Sequence, residues 1–346
     1  MSQTILVTGA TGYVGSWVTK YLLEKGFRVR ITVRDKANSD KYKFLQLIAA
    51  DSQGELEVYE ADLLKSGSYN EAAEVCEAII HVASPFSLRF KDPLKEIIEP
   101  AVQGTKNVLA AATASATVKK VVLTSSVVAV YGDNIDMAEK GLSEFTEDDF
   151  NDTSTATHQP YPYSKVKAEL AAWNIAKKED QWKLVVLNPG FVMGPPLTPD
   201  TNSESIQFMK DMLSGKFATG APHLEFGFVD VRDVAKAHIL ALEQEKAEGR
   251  HILVERVTDF MGFAKKIKSL YPGKYRLPSM QTPKLMLYLL GWAFGITRKF
   301  VTRNIGYHIK LNNSKSKNNL GLVYSSFETT IKDMIEQMIE LKMVKA

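Results

Sequence analysis

Cysteine is almost absent. Cys76 is the single one in 346 residues, which excludes a disulfide framework and a cysteine-built metal site. Beside an expected strand it reads as a small buried hydrophobe. No apolar run is long enough to span a bilayer; the longest late one, Leu285 to Ile296, falls short. Charge of one sign is lacking too. Forty-three Lys and Arg against 40 Asp and Glu leave a net charge of +3. No block of five or six like charges and no nucleic-acid module appears. No repeat, low-complexity tract or signal-peptide pattern is apparent. The expectation is a soluble cytoplasmic protein, monomer or homodimer, with no metal, no nucleic-acid partner and no stable membrane insertion.

What is present is a chain with 45% hydrophobic and 24% charged residues. That suits one large α/β domain with an appended lobe, or two domains. Its organising stretch is Val7-Thr8-Gly9-Ala10-Thr11-Gly12-Tyr13-Val14-Gly15. Three glycines at spacing three follow a short apolar strand, Ile5 to Val7. Glycine admits positive φ and leaves room where backbone must come close. A helix starting there aims free N–H groups and a positive dipole end at an anion. Val14, Trp17, Val18, Tyr21 and Leu22 then recur at helical spacing, and Gly26 ends the helix. Phe27, Val29, Ile31 and Val33 alternate with Arg28, Arg30 and Thr32 as a second strand. Strand, glycine turn, helix and strand make a βαβ opening, the context in which such a loop binds a dinucleotide pyrophosphate. A tight turn without ligand would share the glycines but would not need that context.

The end of the second strand bears on the cofactor. A site for NAD usually places an acid about twenty residues beyond the glycines, on the ribose 2′-hydroxyl. Here the strand ends Val33-Arg34-Asp35, and Lys41 follows. Guanidinium and ammonium suit a 2′-phosphate, so NADP(H) is expected. A solvated basic loop would look the same, and Asp35 argues the other way.

Further along, Glu57 to Leu63 is expected as a third strand and its loop, and Ala78 to Ala83 as a fourth. His81, inside an apolar strand, reads as structural. Pro93 to Ala116 is expected as mainly helical, split or kinked at Pro100. Lys119 to Leu123 forms a fifth strand, followed by Thr124-Ser125-Ser126. Lys140 to Pro162 is read as an irregular loop and Tyr163 to about Lys178 as a helix. Trp182 to Leu187 is a sixth strand, ending Asn188-Pro189-Gly190. Residues 1–190 are thus expected to form mainly the dinucleotide-binding domain. Residues 191–346 are expected to form mainly a substrate lobe, with some segments returning.

Tyr163 and Lys167 stand one helical turn apart. A neighbouring ammonium lowers a tyrosine pKa, letting it give a proton to a developing alkoxide. Ser126 could hydrogen-bond the same oxygen. An exposed Tyr–Lys pair would have the same spacing; the glycine loop and the serine strand end give it chemical meaning.

With these residues in hand, the chain resembles the extended short-chain dehydrogenase/reductases, and among them the dihydroflavonol-4-reductase-like group. The likeness runs nearly end to end. It rests on Thr8 to Gly15, Val33-Arg34-Asp35, Ala61-Asp62-Leu63 and His81-Val82-Ala83-Ser84-Pro85. It continues in Pro100 to Leu109, Leu123 to Ser126, Tyr163-Ser164-Lys165 with Lys167, Asn188-Pro189-Gly190, Phe228 to Ala235 and Asn313-Ser314-Lys315. The resemblance implies a Rossmann doubly wound parallel sheet with a smaller C-terminal substrate lobe. It implies Gly9, Thr11, Gly12, Tyr13, Val14 and Gly15 around the pyrophosphate, and Arg34 and Lys41 on the 2′-phosphate. Asp62 and Leu63 would flank the adenine. Val82, Ala83, Ser84, Pro189, Gly190 and Val192 would line the remaining cofactor path. Tyr163 would be the general acid, Lys167 would hold the nicotinamide ribose and tune the tyrosine, and Ser126 would polarise the carbonyl, with Ser125 as its rival.

The implied activity is NADPH-dependent reduction of a hydrophobic aldehyde, ketone or dihydroflavonol-like compound. The alternatives are a nucleotide-sugar epimerase or dehydratase, a hydroxysteroid dehydrogenase, or a non-catalytic NADP-binding sensor. Phe86, Phe191, Met193 and Phe226 are candidate substrate walls, though ordinary core explains each. Asp230 and Asp233 read as helix-capping acids rather than an acid–base pair. Leu285 to Ile296 is expected as a lid or packing element, although basic residues behind it would also suit a membrane surface.

Overall fold

Ile5, Leu6 and Val7 are fully buried, the continuous apolar pattern of a strand covered on both faces. The computed structural model describes residues 3–84, 91–201 and 203–345; Pro85 and Phe86 of the sequence reading lie outside them. In the first half, β1 (Thr4–Thr8), α1 (Tyr13–Glu24), β2 (Arg28–Val33), α2 (Lys43–Ala50), β3 (Glu55–Glu60), α3 (Asn70–Ala73) and β4 (Ala78–His81) follow one another. Then come α4 (Glu99–Ala114), β5 (Lys120–Thr124), α5 (Asp136–Glu139), α6 (Pro160–Ala176) and β6 (Lys183–Pro189). The second half holds β7 (Phe191–Met193), α7 (Glu204–Leu213), β8 (Phe226–Asp230), α8 (Val231–Glu243), β9 (Gly249–Leu253) and β10 (Arg256–Thr258). It ends with α9 (Phe260–Leu270), α10 (Lys284–Leu290), α11 (Arg298–Asn304), α12 (Ser314–Leu320) and α13 (Phe327–Glu340).

Among the described residues seven strands form one sheet in the order β3-β2-β1-β4-β5-β6-β9, and their pairings are all parallel. Val7 faces Ile31 of β2 on one side and Ile80 of β4 on the other. The chain therefore winds outward from β1 to β3, then returns to the far side of β1. That reversal opens a crevice at the carboxyl ends of β1 and β4, where ligands bind in such folds. This is the expected Rossmann architecture. Helices α1 and α8 pack together, as do α4 and α6. Trp17, Val18 and Leu22 of α1 are buried in one core, and Val108, Ala112, Ala172 and Trp182 in the other. Cys76 is fully buried, and burial pushes its thiol up to about 11.

The Pro100 expectation is met in detail. A π-turn over Leu94–Ile98 precedes α4, and Pro100 sits in the first turn of α4, where a missing N–H costs nothing. One boundary differs with consequence: α6 begins at Pro160, three residues before Tyr163. Pro160 and Pro162 both fall in its first turn, so neither breaks it.

A small sheet, β10-β8-β7, builds the second layer. Phe191, Phe208, Phe226, Phe260 and Phe263 interlock around it edge to face or stacked, while Met193 is fully buried. These candidate walls serve as core. Asp230 caps α8 by accepting from the N–H of Arg232. No helix among the described residues is long and apolar enough to cross a membrane. Helix α10, expected as part of a lid or packing element, has no buried residue.

Candidate active site

Gly9 has φ +71°, and a Cβ there would lie 2.7 Å from the Ala83 nitrogen. A Cβ on Gly15 would sit 2.1 Å from the Gly9 oxygen. These two glycines let β1, β4 and α1 converge. Gly12 differs: it is exposed, and a Cβ there would meet only the Gly9 oxygen, at 3.2 Å. Gly12 is the N-cap of α1 and no side chain caps the helix, so its first N–H groups face outward at a positive dipole end. That cradle fits a pyrophosphate. Thr11 and Val14 are half-buried. Tyr13 contributes no side chain to it, since its hydroxyl donates to the Gly194 carbonyl at 2.5 Å in the core.

The loop is held from β4. The Val82 N–H donates to the Thr8 carbonyl at 3.3 Å, and the Ala83 N–H to Thr8 Oγ1 at 3.2 Å. Thr8 Oγ1 lies 2.7 Å from His81 Nδ1. Burial, with the nearby Lys165 charge second, pushes His81 down to about 3. A permanently neutral histidine is structural, as its sequence setting suggested.

At the far end of β2, Arg34 and Lys41 are exposed. Among the described residues neither makes an ion pair. The acids beside them are engaged in their own loops: Asp35 accepts the Ala37 N–H at 2.9 Å, and Glu60 accepts the Lys36 N–H at 3.1 Å. Two uncommitted cations thus mark this edge. Asp62 accepts the Leu64 N–H at 2.8 Å. The Leu63 carbonyl accepts from Asn107 Nδ2 at 2.7 Å, and Leu63 lies over Gly104, where a Cβ would come within 3.2 Å of it.

Helix α6 corrects the sequence reading. Residues two apart on a helix point about 200° apart, so the pair at 161 and 165 and the pair at 163 and 167 cannot share a face. The Lys165 ammonium donates to Ser84 Oγ at 3.1 Å, at the carboxyl edge of β4. Glu169, one turn on, accepts from Ser125 Oγ at 2.5 Å and from Asn188 Nδ2 at 2.9 Å. The face carrying Tyr161, Lys165 and Glu169 therefore addresses the sheet edge. Tyr163 and Lys167 line a different groove of about 1080 Å³ on the outside, with Leu94, Ile98 and Gln103. Lys167 is exposed, and its ammonium lies 5.0 Å from the Tyr163 ring centre. The structure does not bring Tyr163 and Lys167 to Ser126.

Ser126 stands where expected, after β5. Its hydroxyl lies 3.5 Å from the Pro189 carbonyl, and its own carbonyl accepts from Asn188 Nδ2 at 3.1 Å. Ser125 is committed to Glu169, which favours Ser126 over its rival. Glu169 is fully buried and paired with Arg250 at 2.6 Å. The Gly190 N–H donates to the Leu253 carbonyl at 3.0 Å. A Cβ on Gly190 would clash with the Gly227 oxygen at 2.5 Å, so this turn follows β6 against the small sheet, with Val192 half-buried. Burial pushes the Tyr161 hydroxyl up to about 12 and the Lys165 ammonium down to about 8, the Glu169 charge opposing the latter. The sequence reading missed Tyr161, Lys165 and Glu169; their spacing of four, continued to Glu169, was the available signal.

The description of the NAD dependent epimerase/dehydratase family matches residues 5–254. The chain belongs to that family. Within it, the chain is similar to cinnamoyl-CoA reductase CAD2 of Medicago truncatula, 36% identical over 99% of this chain and 97% of that protein. It is also similar to the bifunctional dihydroflavonol 4-reductase/flavanone 4-reductase of Malus domestica, 34% identical over 80% of this chain and 79% of that protein. Among solved structures, Gre2 of Candida albicans in complex with NADPH has a TM-score of 0.76, with 29% identity over 98% of this chain and 99% of that one. The likeness to the extended short-chain dehydrogenase/reductases is borne out by these members.

Proposed function

We propose that this family member reduces a carbonyl compound to an alcohol with NADPH, using Ser126, Tyr161 and Lys165. The observation that carries the reading is the buried Lys165 ammonium at the sheet edge, 3.1 Å from Ser84 and one turn from Tyr161. When bound, NADPH supplies the hydride that reaches the carbonyl carbon. As the carbonyl π electrons move to oxygen, the Tyr161 hydroxyl gives that oxygen its proton. Burial keeps Tyr161 protonated at neutral pH, which is the form an acid needs. The adjacent ammonium stabilises the phenolate left behind, and Ser126 hydrogen-bonds the oxygen as it gains charge.

For the cofactor, Gly9, Gly12 and Gly15 with the backbone of Thr11, Tyr13 and Val14 would hold the pyrophosphate. Arg34 and Lys41 would hold the 2′-phosphate, and Asp62 and Leu63 the adenine. Val82, Ala83, Ser84, Pro189, Gly190 and Val192 would hold the nicotinamide half. The uncapped α1 and the two free cations support this assignment. The reductase names of the relatives and the NADPH in the Gre2 complex support the reaction class. The substrate class is a hydrophobic aldehyde or ketone.

The test follows NADPH and NADH absorbance against aromatic aldehydes, β-keto esters and dihydroflavonols. NADPH oxidation stoichiometric with alcohol formation is expected. Isomerised product without net NADPH loss would mean an epimerase. Tight NADPH binding with no oxidation across the panel would mean a non-catalytic binder.

A further inference from the structure

Residues 260–327 contain twelve Lys and Arg and no Asp or Glu; the rest of the chain carries 31 cations against 40 acids. A near-neutral total therefore hides a strongly basic segment in an otherwise acidic protein. Part of that charge is neutralised from elsewhere. Arg303 binds Asp133, Asp136 and Glu139, Lys266 binds Glu328, and Lys310 binds Glu144. Lys284, Arg298 and Lys299 have no ion pair among the described residues.

Those three cations flank a cluster of exposed apolar side chains. Leu285, Met286, Leu289, Leu290 and Trp292 are 49% to 75% exposed. Leu285, Leu289 and Trp292 recur at helical spacing, one stripe across α10 and the turn after it. Helix α10 packs on α11, and the Arg298 guanidinium lies 5.4 Å from the Tyr288 ring centre. A contiguous apolar patch of this kind marks a contact surface.

We infer that α10, the turn through Trp292 and the start of α11 form a docking surface for an anionic lipid bilayer. Charge decides the occupant. A symmetric contact between two copies would set the basic patch of Lys284, Arg298 and Lys299 on one against the same patch on the other. An anionic leaflet supplies the opposite sign over the whole face. The apolar stripe would enter the headgroup boundary with Trp292 at the interface, and the basic residues would lie on the phosphates. The element lies on the surface and does not span it, in keeping with its length. A reductase of hydrophobic carbonyls gains access to substrate dissolved in lipid by docking this way, but the surface stands without that reading.

The experiment uses the full chain with NADPH and vesicles of phosphatidylcholine alone or with phosphatidylserine. Sedimentation and tryptophan emission are the readouts, because Trp17 and Trp182 are buried and Trp292 is the exposed one. Expected are binding at least about tenfold stronger to the anionic vesicles, loss of it at high salt, and a blue shift absent in Trp292→Phe. Each cation contributes about fivefold, so Lys284→Glu/Arg298→Glu/Lys299→Glu loses binding, as does Leu285→Ser/Leu289→Ser. Unchanged NADPH affinity shows that both variants are folded. No binding to either vesicle, equal binding to both, or unaltered binding by the charge variant overturns the proposal. So does concentration-dependent dimerisation abolished by Leu285→Ser/Leu289→Ser, which would assign the patch to a second copy. Failure of the carbonyl panel leaves these readouts untouched.

Discussion

A lysine held in a dry crevice titrates where a surface lysine does not, and Lys165 makes this measurable. Burial brings it down to about 8, so it is charged below that pH and neutral above. If the ammonium stabilises the phenolate left behind, as proposed, kcat/KM for carbonyl reduction should be level below pH 8. It should then fall about tenfold per unit above it. Lys165→Met should lower kcat/KM at least about a hundredfold and abolish that limb; a limb persisting in the variant would assign it to another group. The role proposed for Arg34 lies at the other end of the cofactor. Arg34→Ala should reduce the preference for NADPH over NADH at least about tenfold, the loss of one charge-assisted contact, in paired titrations. Equal losses for both would remove Arg34 from the 2′-phosphate. The residue scale was also where the sequence misled. Tyr-Pro-Tyr-Ser-Lys-Val-Lys contains two Tyr–Lys pairs at the same spacing. Starting the helix at Tyr163 hid the first of them, although proline at the opening of a helix is permitted.

Elements were far more legible, because burial on both faces leaves strands as apolar runs and glycine marks their turns. The βαβ opening, the split at Pro100 and the Asp230 cap all follow from local rules. The glycine loop separates two roles that spacing alone cannot. Gly15→Ala puts a methyl group 2.1 Å from the Gly9 oxygen, so β1 and α1 must part; a loss of about 3 kcal/mol is expected in denaturant melts. Gly12→Ala meets only one atom at 3.2 Å and should cost about 1 kcal/mol or less. It should nonetheless weaken NADPH binding about tenfold, because the methyl group intrudes where phosphate must approach backbone. Normal NADPH affinity in Gly12→Ala would move the pyrophosphate off this turn. What spacing did not reveal is the direction each helix face takes. Glu169 shows it through Ser125, Asn188 and Arg250, contacts 19 to 81 residues away in sequence.

Across the whole molecule, three histidines stay neutral in the interior. Burial pushes His81 down to about 3, and His238 and His251 down to about 4. His238 is bonded as a neutral ring between Thr124 Oγ1 and the Val234 carbonyl. Unfolded, each binds a proton near pH 6.5. Folded, none does until far lower, so the unfolded state gains protons first and stability falls as pH drops through 6.5 toward 4. Each contributes about 1.4 kcal/mol per pH unit in that window. His238→Gln should make the acid limb of denaturant stability shallower by one proton; an unchanged slope would remove His238 from it. At this scale the doubly wound topology followed from the order of strands and helices, whereas the basic segment that carries α10 was masked by a balanced total charge. Which face of α6 meets the substrate is tested by one side-by-side assay of NADPH oxidation. Tyr161→Phe should lose at least about a thousandfold in kcat, within the range for a general acid, with NADPH affinity intact, while Tyr163→Phe stays near wild type. Full activity in Tyr161→Phe with loss in Tyr163→Phe would contradict the account.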